Sequence, residues 1–385
     1  MIPPHGGRLI NRILTDSEVN KILDQISEFP SLFIDNQCVK VIKNISFGVF
    51  SPLEGFMGNN DLTNVLESNR LENDLPWTIP IVLDVEEKDI QNLKVGDQVI
   101  LLNNYENENI PVAILSIEEI YTYDKKNFAQ KVYSTLDPSH PGVKKVNIMK
   151  NYLLGGKINL LKEKPSPFPK YTLKPKETRI LFKTKGWRSI VGFQTRNPPH
   201  LGHEYVQKTA LTFVDGIFIN PVIGQKKTSD FTDEVIMKAY EVLLKYYYLK
   251  ENAVLSIFET EMRYAGPKEA IYHAIARKNF GCTHIIIGRD HAGVGNFYQP
   301  YAAHKIFDDF PDLGINPLFL KSFYKCTKCG TVVNERICPH DEQYHINFSG
   351  TKIRELLQEG KRPSTDLMRP EVVDIILESS QPFVE

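Results

Sequence analysis

Two hydrophobic patterns divide the chain. In residues 1 to about 165, the apolar positions form short runs typical of β-strands, at 77–85, 97–102 and 111–121. The turn signals Gly96-Asp97 and Asn103-Asn104 flank the second of these runs. This part of the chain therefore predicts a mostly β domain.

A segment rich in proline and lysine, residues 162–178, is the best candidate for a linker, because proline removes ladder donors and stiffens an extended chain. After it, strand and helix patterns alternate. The predicted strands are 187–195, 216–224, 253–260 and 283–290, and the predicted helices are 200–214, 233–249 and 267–280. Asp230 or Thr232 is placed to cap the second helix. Such alternation is typical of a parallel α/β sheet with right-handed crossovers, in which ligands bind beyond the carboxyl ends of the strands.

The stretch from about residue 321 differs again, with three clustered cysteines followed by a helical pattern at 349–360. We therefore expect three domains: a β-rich N-terminal domain over 1–165, an α/β domain over 166–320 and a small C-terminal domain over 321–385.

Composition narrows the class of protein. The 385 residues are 42% hydrophobic and 24% charged, as in a soluble globular protein, and the formal net charge is −1. That balance argues against broad electrostatic binding of nucleic acid. No apolar run approaches the ~20 residues that span a membrane, and the N-terminus lacks the pattern of a signal peptide. Five cysteines, an odd number, fit a reducing compartment, so we expect a cytoplasmic protein.

Polar residues suited to anions follow the first predicted strand of the α/β part. In order, they are Gln194, Thr195, Arg196, Asn197, His200 and His203. The two histidines are three residues apart and share one face of the next helix. A helix N-terminus is an anion site, and histidines there can donate hydrogen bonds to phosphate oxygens. A lone histidine more often only caps or packs a helix; the polar residues upstream favour a binding site here.

Two further segments carry related chemistry. A glycine-rich loop after the fourth predicted strand contains Gly288, Arg289, Asp290, His291 and Ala292. A helix start later in the chain contains Ser349, Thr351 and Arg354, which could cradle phosphate. Taken alone, the first is most simply a turn and the second an ordinary N-cap.

Together these strings resemble one family. Gln-Thr-Arg-Asn-Pro-Pro-His-Leu-Gly-His-Glu at 194–204 and Gly-Arg-Asp-His-Ala-Gly-Val-Gly at 288–295 are similar to the ATP sulfurylase family of the nucleotidylyltransferase superfamily. Residues 349–354 match the superfamily's Ser-x-Thr-x-x-Arg phosphate motif, and 3–12 and 50–58 resemble the family's PUA-like domain. The resemblance implies an α/β fold, with a Rossmann-like nucleotidylyltransferase catalytic domain, an N-terminal β-rich PUA-like domain and a small C-terminal domain.

The resemblance also implies a sulfate site. Gln194 and Arg196 would bind sulfate, together with the backbone N–H of Ala292. Arginine suits a tetrahedral oxyanion because its planar fork donates two hydrogen bonds. Thr195 lies in the family's catalytic Thr-Arg-Asn triplet.

For ATP, the resemblance implies contacts from Asn197, His200 and His203 to the triphosphate, where they would stabilise the transition state. Residues Gly288 to His291 would surround the nucleotide, and the 349–354 motif would contact phosphate.

The activity implied is a reversible one, in which ATP and sulfate give adenosine 5′-phosphosulfate and pyrophosphate. A sulfate oxygen would attack the α-phosphorus in line, and such transfer depends on positioning and charge stabilisation more than on a nucleophilic side chain. Mg²⁺ would accompany the triphosphate, held mainly through its oxygens. The partners would be ATP and sulfate, with no nucleic acid and no membrane, in a homodimer. No P-loop motif occurs in the sequence, so the resemblance is to the form without a fused kinase.

The clustered cysteines predict a metal site. Cys326 and Cys329 form a Cys-x-x-Cys knuckle, and Cys338 completes most of a tetrahedral zinc shell. For the fourth ligand we prefer His345 to His340, because a Cys338-x-His340 ring would be cramped. A closed shell would make this Zn²⁺ structural. A redox pair and fortuitous thiols are the alternatives, although a thioredoxin-like pair would normally open a helix after a strand.

Two other functions stay open. One is a different nucleotidylyltransferase that shares only His-x-Gly-His, against which the two longer strings count. The other is a non-catalytic RNA- or nucleotide-binding protein acting through the PUA-like domain, against which the near-neutral charge counts.

Overall fold

The computed structural model of the chain describes residues 2–226 and 228–384. The strands in this part of the chain are β1 (Ser31–Phe33), β2 (Gly55–Phe56), β3 (Leu83–Val85), β4 (Gln98–Tyr105), β5 (Glu108–Thr122), β6 (Tyr152–Leu160), β7 (Ile190–Thr195), β8 (Gly216–Ile223), β9 (Ala253–Leu255), β10 (Phe258–Glu259), β11 (His284–Ile287), β12 (Asn316–Phe319), β13 (Phe323–Cys326), β14 (Thr331–Asn334) and β15 (His345–Asn347). The α-helices are α1 (Asp16–Asp24), α2 (Asn36–Ser46), α3 (Asn59–Ser68), α4 (Glu87–Ile90), α5 (Lys125–Tyr133), α6 (Pro141–Ile148), α7 (Pro175–Thr184), α8 (Leu201–Leu211), α9 (Asp233–Tyr247), α10 (Pro267–Phe280), α11 (Ala302–Lys305), α12 (Gly350–Gln358) and α13 (Pro370–Leu377). Short 3₁₀ helices lie at Ile26–Glu28, Pro169–Tyr171, Ile306–Asp309 and Glu342–Tyr344.

A six-stranded sheet forms the N-terminal half, in the order β1-β4-β5-β6-β2, with β3 paired to β6. The pair β1 and β4 is parallel and the other pairs are antiparallel. Strand β4 covers 98–102 of the predicted run 97–102, and β5 includes all of the run 111–121. They meet at Glu106 and Asn107, whose φ angles of 51° and 66° are those of a tight hairpin turn. Helices α1 to α6 also belong to this half, so helices contribute more to it than the pattern indicated.

The predicted strand at 77–85 is wrong over most of its length, since only β3 is extended and paired. Pro80 has no N–H for a ladder. The indole of the fully buried Trp77 donates to the carbonyl of Ile79 at 2.6 Å. This run is apolar because it crosses the core, and apolar character alone does not distinguish that from a strand.

The second sheet is parallel throughout, as predicted, in the order β10-β8-β7-β11-β12, with β9 paired to β8. In chain order β7 comes first, β8 then pairs with one edge of β7, and β11 later pairs with the other edge. The strand order therefore reverses between β7 and β11. The crevice outside the carboxyl ends of these two strands is where such sheets bind ligands.

Two predicted elements of this half contrast. Helix α10 has the predicted bounds, since Pro267 starts it and Gly281, at a φ of 104°, ends it. The predicted strand 253–260 is broken into β9 and β10, because the N–H of Ile257 bonds to the carbonyl of Tyr171 at 2.7 Å and leaves the sheet. Thr232 is the N-cap residue of α9, without a side-chain capping bond.

A third, antiparallel sheet in the order β14-β13-β15 carries the clustered cysteines. It follows β12 directly in the chain and is followed by α12.

The two larger sheets share one hydrophobic core. Trp77 of the N-terminal half lies 6.4 Å from Tyr272 of α10, and Phe50 lies 6.3 Å from Phe258 of β10, between ring centroids. The amine of Lys43 lies 3.0 Å from a carboxylate oxygen of Glu259 in the same interface. The halves are therefore packed as one body. Among the helices of the described residues, none combines the length and apolar character that crossing a membrane requires.

Candidate active site

A cavity of about 430 Å³ opens outside the carboxyl ends of β7 and β11. Of the residues singled out in the sequence, it is lined by Gln194, Thr195, Arg196, Asn197, His200, His203, Gly288, Arg289, Asp290, His291 and Ala292. Strands β7 and β11 are neighbours, so the turn after one meets the loop after the other. The charged side chains among its described lining are Arg196, Arg289, Lys321 and one carboxylate, Asp290. This excess of cations suits an anionic ligand.

Arg196 links the turn after β7 to the loop after β11. Its guanidinium packs over the ring of Tyr264, 5.0 Å from the centroid, and one nitrogen lies 3.5 Å from the carbonyl oxygen of Gly293. Beside it, the amide nitrogen of Gln194 lies 3.7 Å from the sulfur of Met262. Both side chains line the cavity, Gln194 from the end of β7 and Arg196 from the turn that follows it.

The hydroxyl of Thr195 shapes that turn. It donates to the carbonyl oxygen of Asn197 and accepts from the N–H of the same residue, both at 3.2 Å. Arg354 of α12 donates to Oδ1 of Asn197 at 3.1 Å and lies 3.5 Å from the buried carboxylate of Asp230. The amide oxygen of Asn197 is thus occupied, which leaves its NH₂ group as the donor for a ligand.

His200 and His203 form a reciprocal cap at the start of α8. The N–H of His203 donates to Nδ1 of His200 at 3.3 Å, and the N–H of His200 donates to Nδ1 of His203 at 3.5 Å. The rings stack 3.8 Å apart at an angle of 17°. Burial lowers the pKa of His200 well below its ordinary value, helped by its neighbour, and burial lowers the pKa of His203 to about 4. Both rings are therefore neutral at pH 7, and because each Nδ1 accepts, the ring proton belongs on Nε2.

Gly202, between these histidines, also lines the cavity. A Cβ there would lie 2.9 Å from both Cε1 of His200 and a ring carbon of Phe348. The glycine lets the His200 ring pack over the helix.

The loop after β11 is tightly built. Ala292 has a φ of 57°, an uncommon conformation for a residue with a side chain, and is buried. A Cβ on Gly293 would lie 2.0 Å from Oδ1 of Asp290, so any larger residue there would displace the Asp290 side chain. His291 is buried beside it, and its Nε2 lies 3.1 Å from Nδ1 of His273. Arg289 and Asp290 are exposed at the mouth of the cavity.

The third motif reaches the cavity only in part. Ser349 is the N-cap of α12 and accepts from the N–H of Lys352 at 3.3 Å, as the ordinary reading of the motif predicts. Thr351 is exposed and, with Ser349 and Arg354, falls outside the cavity lining. Only Arg354 contacts another singled-out residue, Asn197, as described above.

Comparisons with known proteins agree with this architecture. A family model described as a PUA-like domain matches residues 2–163, and one described as ATP-sulfurylase matches residues 169–379. The chain belongs to the ATP-sulfurylase family. Curated relatives named sulfate adenylyltransferase include those of Pyrococcus abyssi, 56% identical over 99% of both chains, and Staphylothermus marinus, 54% identical over 100% of both. A hexameric APS kinase from Thiobacillus denitrificans shares the fold, with a TM-score of 0.78 at 20% identity over 99% of this chain and 69% of that one.

The apolar wall of the cavity was not predicted from the sequence. That wall consists of Val206, Phe231, Met262, Leu320, Phe323, Phe348, Ile353 and Met368. These residues come from separate elements, and of them only Ile353 lies within one of the three motifs. The C-terminal tail holds part of it, since Phe231 pairs with Phe383 across an isolated bridge. No local signal in the sequence could have identified these residues.

The clustered cysteines of this family member form a group that could hold a metal ion. Ligand atoms of Cys326, Cys329, Cys338 and His340 lie within 4.8 Å of one another. The two sulfurs of Cys329 and Cys338 are 3.8 Å apart, and Nδ1 of His340 lies 3.3–3.8 Å from the three sulfurs. A tetrahedron with zinc–sulfur bonds of about 2.3 Å has edges of about 3.8 Å, so the spacing fits zinc.

The geometry favours His340 as the fourth ligand, against our preference for His345. The Cys338-x-His340 ring is not cramped, because Nδ1 lies nearer the backbone than Nε2 and a short loop can deliver it. His345 instead stacks on Tyr324 at 3.8 Å, and its Nε2 lies 3.7 Å from the sulfur of Cys338.

Proposed function

We propose that this protein is a sulfate adenylyltransferase, which joins ATP and inorganic sulfate into adenosine 5′-phosphosulfate and pyrophosphate in a reversible reaction. The observation that carries the proposal is the meeting of the turn after β7 with the loop after β11 in one cavity whose charged lining is mainly cationic. Membership of the ATP-sulfurylase family and the names of the relatives support it.

In the proposed sulfate site, Arg196 and Gln194 hold the anion together with the backbone N–H of Ala292. The guanidinium of Arg196 is restrained between Tyr264 and the carbonyl of Gly293, so little entropy is lost when it binds an oxyanion. Sulfate is a weak nucleophile, and holding it in line with the α-phosphorus of ATP is the main contribution a protein can make.

In the proposed triphosphate site, Asn197, His200 and His203 donate hydrogen bonds to phosphate oxygens. The histidines do so as neutral rings through Nε2, since their Nδ1 atoms accept from the helix backbone. Fixed donors in a site shielded from water stabilise the charge that develops as pyrophosphate leaves. Thr195 and Arg354 act by positioning Asn197, which refines the catalytic assignment of Thr195 and the phosphate-binding assignment of Arg354.

The nucleotide is proposed to lie along Gly288, Arg289, Asp290 and His291, near the helix start at Ser349 and Thr351. Mg²⁺ is proposed to enter with the triphosphate. The one carboxylate in the described lining, Asp290, fits an ion held mainly by phosphate oxygens. The ion would neutralise phosphate charge.

The cysteine group is proposed to hold a structural zinc through Cys326, Cys329, Cys338 and His340. Four protein ligands leave no open position for chemistry. We further propose a cytoplasmic homodimer and the three-domain division at residues 165 and 320.

Pyrophosphate release tests the proposed function. Protein with ATP and Mg²⁺ should release pyrophosphate when sulfate is added and release almost none without it. Release that does not depend on sulfate would contradict the proposal and favour a different nucleotidylyltransferase.

A further inference from the structure

Three buried side chains connect the interior of α10 with the candidate active site. Glu269 and His273, one helical turn apart, are completely buried, and His291 is 8% exposed. Nδ1 of His273 lies 3.1 Å from Nε2 of His291, and Nε2 of His273, which makes no hydrogen bond in this arrangement, faces Oε1 of Glu269 at 3.5 Å. His291 in turn lines the cavity. The three groups form a buried row, Glu269-His273-His291, that ends at the site.

Both imidazoles of the row are neutral at pH 7. Burial lowers the pKa of His291 to about 3 and that of His273 well below its ordinary value, and nearby cations add to both effects. The titratable and charged groups that face the row are Arg196, Arg263, Arg277, His304, Tyr133, Tyr272 and Tyr298. A neutral imidazole has one ring proton, so it can donate on one side only if it accepts on the other.

Glu269 is the one member of the row that changes charge near neutral pH. Burial raises the pKa of its carboxyl to about 7, although the N–H groups of Arg263 and Ala265 donate to its oxygens at 2.9 and 3.0 Å. Its two charge states impose opposite directions on the hydrogen bonds of the row.

We propose that Glu269 and His273 are positioning residues that let His291 donate its Nδ1 proton to an anionic oxygen of a substrate, with uptake of one proton. The inference rests on the proposed function, in which His291 belongs to the substrate site. The ligand chemistry is a tetrahedral oxyanion, either a phosphate group of ATP or sulfate itself.

The protons balance as follows. With Glu269 ionised, its carboxylate accepts Nε2–H of His273, and Nδ1 of His273 accepts Nε2–H of His291, so Nδ1 of His291 carries a lone pair that repels an anion. One proton from solvent then joins Nδ1 of His291. The Nε2 proton of His291 passes to Nδ1 of His273, and the Nε2 proton of His273 passes to Oε1 of Glu269. Both rings stay neutral, Glu269 becomes neutral, and His291 now donates to the ligand.

Nitrogen-15 NMR of the unliganded full-length protein tests the row without relying on activity. At pH 8 the ring proton of His291 should be on Nε2, and at pH 6, with Glu269 protonated, it should be on Nδ1. The same tautomer at both pH values would overturn the proposal.

Two substitutions at His273 form a matched pair for the ligand-bound state. In His273→Asn the carboxamide nitrogen lies near the position of Nδ1, so it can still donate to His291 but cannot pass a proton to Glu269. In His273→Gln the carboxamide nitrogen lies near the position of Nε2, so the contact with His291 is lost. A merely structural role for His273 would not separate them in this order.

Calorimetric titration at pH 8, in two buffers of different ionisation enthalpy, counts the protons taken up. MgATP and inorganic sulfate are titrated separately, so the arm with uptake identifies the oxyanion that meets His291. We expect close to one proton for wild type and none for His273→Asn at similar affinity, with His273→Gln weaker by about tenfold, as for loss of one charge-assisted hydrogen bond. The proposed roles of Glu269 and His273 would be overturned if wild type bound both ligands without proton uptake, or if His273→Gln bound as tightly as wild type. A wild type that shows uptake but no sulfate-dependent pyrophosphate release would overturn the proposed function instead.

Discussion

Arg196 lies where the turn after β7 meets the loop after β11, with its guanidinium over Tyr264 and near Gly293. Its neighbour Thr195 has its hydroxyl engaged in the turn itself. The sequence alone identified this polar segment, because its residues are consecutive. It could not show which side chains face the ligand and which shape the turn, because that depends on the surrounding fold.

Replacing Arg196 with Ala should abolish most sulfate-dependent turnover and leave the fold intact. Losing a charge-assisted contact to the oxyanion should cost at least about 2 kcal/mol in transition-state stabilisation, roughly 30-fold in kcat/KM. Steady-state kinetics with varied sulfate measure this, and Arg196→Lys serves as a control that keeps the charge without the fork. Near-normal activity of a folded Arg196→Ala protein would contradict the sulfate assignment.

Two substitutions of His200 separate its role in capping α8 from its proposed role in catalysis. His200→Asn keeps an acceptor near the position of Nδ1 for the N–H of His203, but it removes the Nε2 donor; His200→Ala removes both. We expect kcat to fall in both variants by more than ATP binding weakens. Only the Ala variant should also lose about 1 kcal/mol of stability through the missing cap. Equal loss of ATP affinity with unchanged kcat would mark His200 as a ground-state contact.

At the scale of elements, boundaries were predictable where a local signal ends the element. Pro267 and Gly281 bracket α10 in the sequence and in the structure. The runs 77–85 and 253–260 look equally strand-like, yet the first crosses the core irregularly and the second is interrupted by a bond to Tyr171. Those outcomes depend on segments distant in sequence, as does the apolar wall of the cavity.

The β13–β15 sheet should depend on its metal. We expect about one zinc per chain, and removal by a chelator should lower the melting temperature, with activity falling because Phe323 and Phe348 at the two ends of this segment line the cavity. Cys329→Ser should reproduce both effects. Metal analysis without zinc, in protein purified without chelator, would refute the site.

A matched pair identifies the fourth ligand. His340→Ala should sharply lower zinc occupancy, because its Nδ1 lies within 3.8 Å of all three sulfurs, whereas His345→Ala should leave occupancy near wild type. Reversed results would restore the original preference for His345.

For the whole molecule, the shared core predicts cooperative unfolding. The two tryptophans report on different halves, Trp77 on the N-terminal half and Trp187 on the α/β half, and the core that contains both crosses the interface. Fluorescence of Trp77→Phe and Trp187→Phe variants should give coincident denaturant midpoints once each variant's own stability change is subtracted. Two separated transitions would show that the halves unfold independently.

Buried neutral histidines also make the free energy of unfolding depend on pH below neutrality. Burial lowers the pKa of His5 to about 4 and of His291 to about 3, against 6.5 for an unfolded chain. Below about pH 6.5 the unfolded chain therefore binds protons that the native protein does not, so stability should fall as pH drops from 7 to 4. Glu269, with its raised pKa, opposes this by one proton. Urea unfolding at pH 7.5, 6 and 5 measures how steeply the free energy of unfolding falls with pH. The fall should be smaller in the His5→Gln variant.

In the proposed reaction, ATP and sulfate react in a single cavity. Product stoichiometry tests it most directly, by quantifying adenosine 5′-phosphosulfate and pyrophosphate together after incubation of the protein with ATP, Mg²⁺ and sulfate. Because equilibrium disfavours a phosphate–sulfate anhydride, an inorganic pyrophosphatase should be present, and two phosphates are then counted for each pyrophosphate released. We expect one adenosine 5′-phosphosulfate for each pyrophosphate released, with both products dependent on sulfate. Pyrophosphate released with AMP in place of adenosine 5′-phosphosulfate, or at the same rate without sulfate, would contradict it.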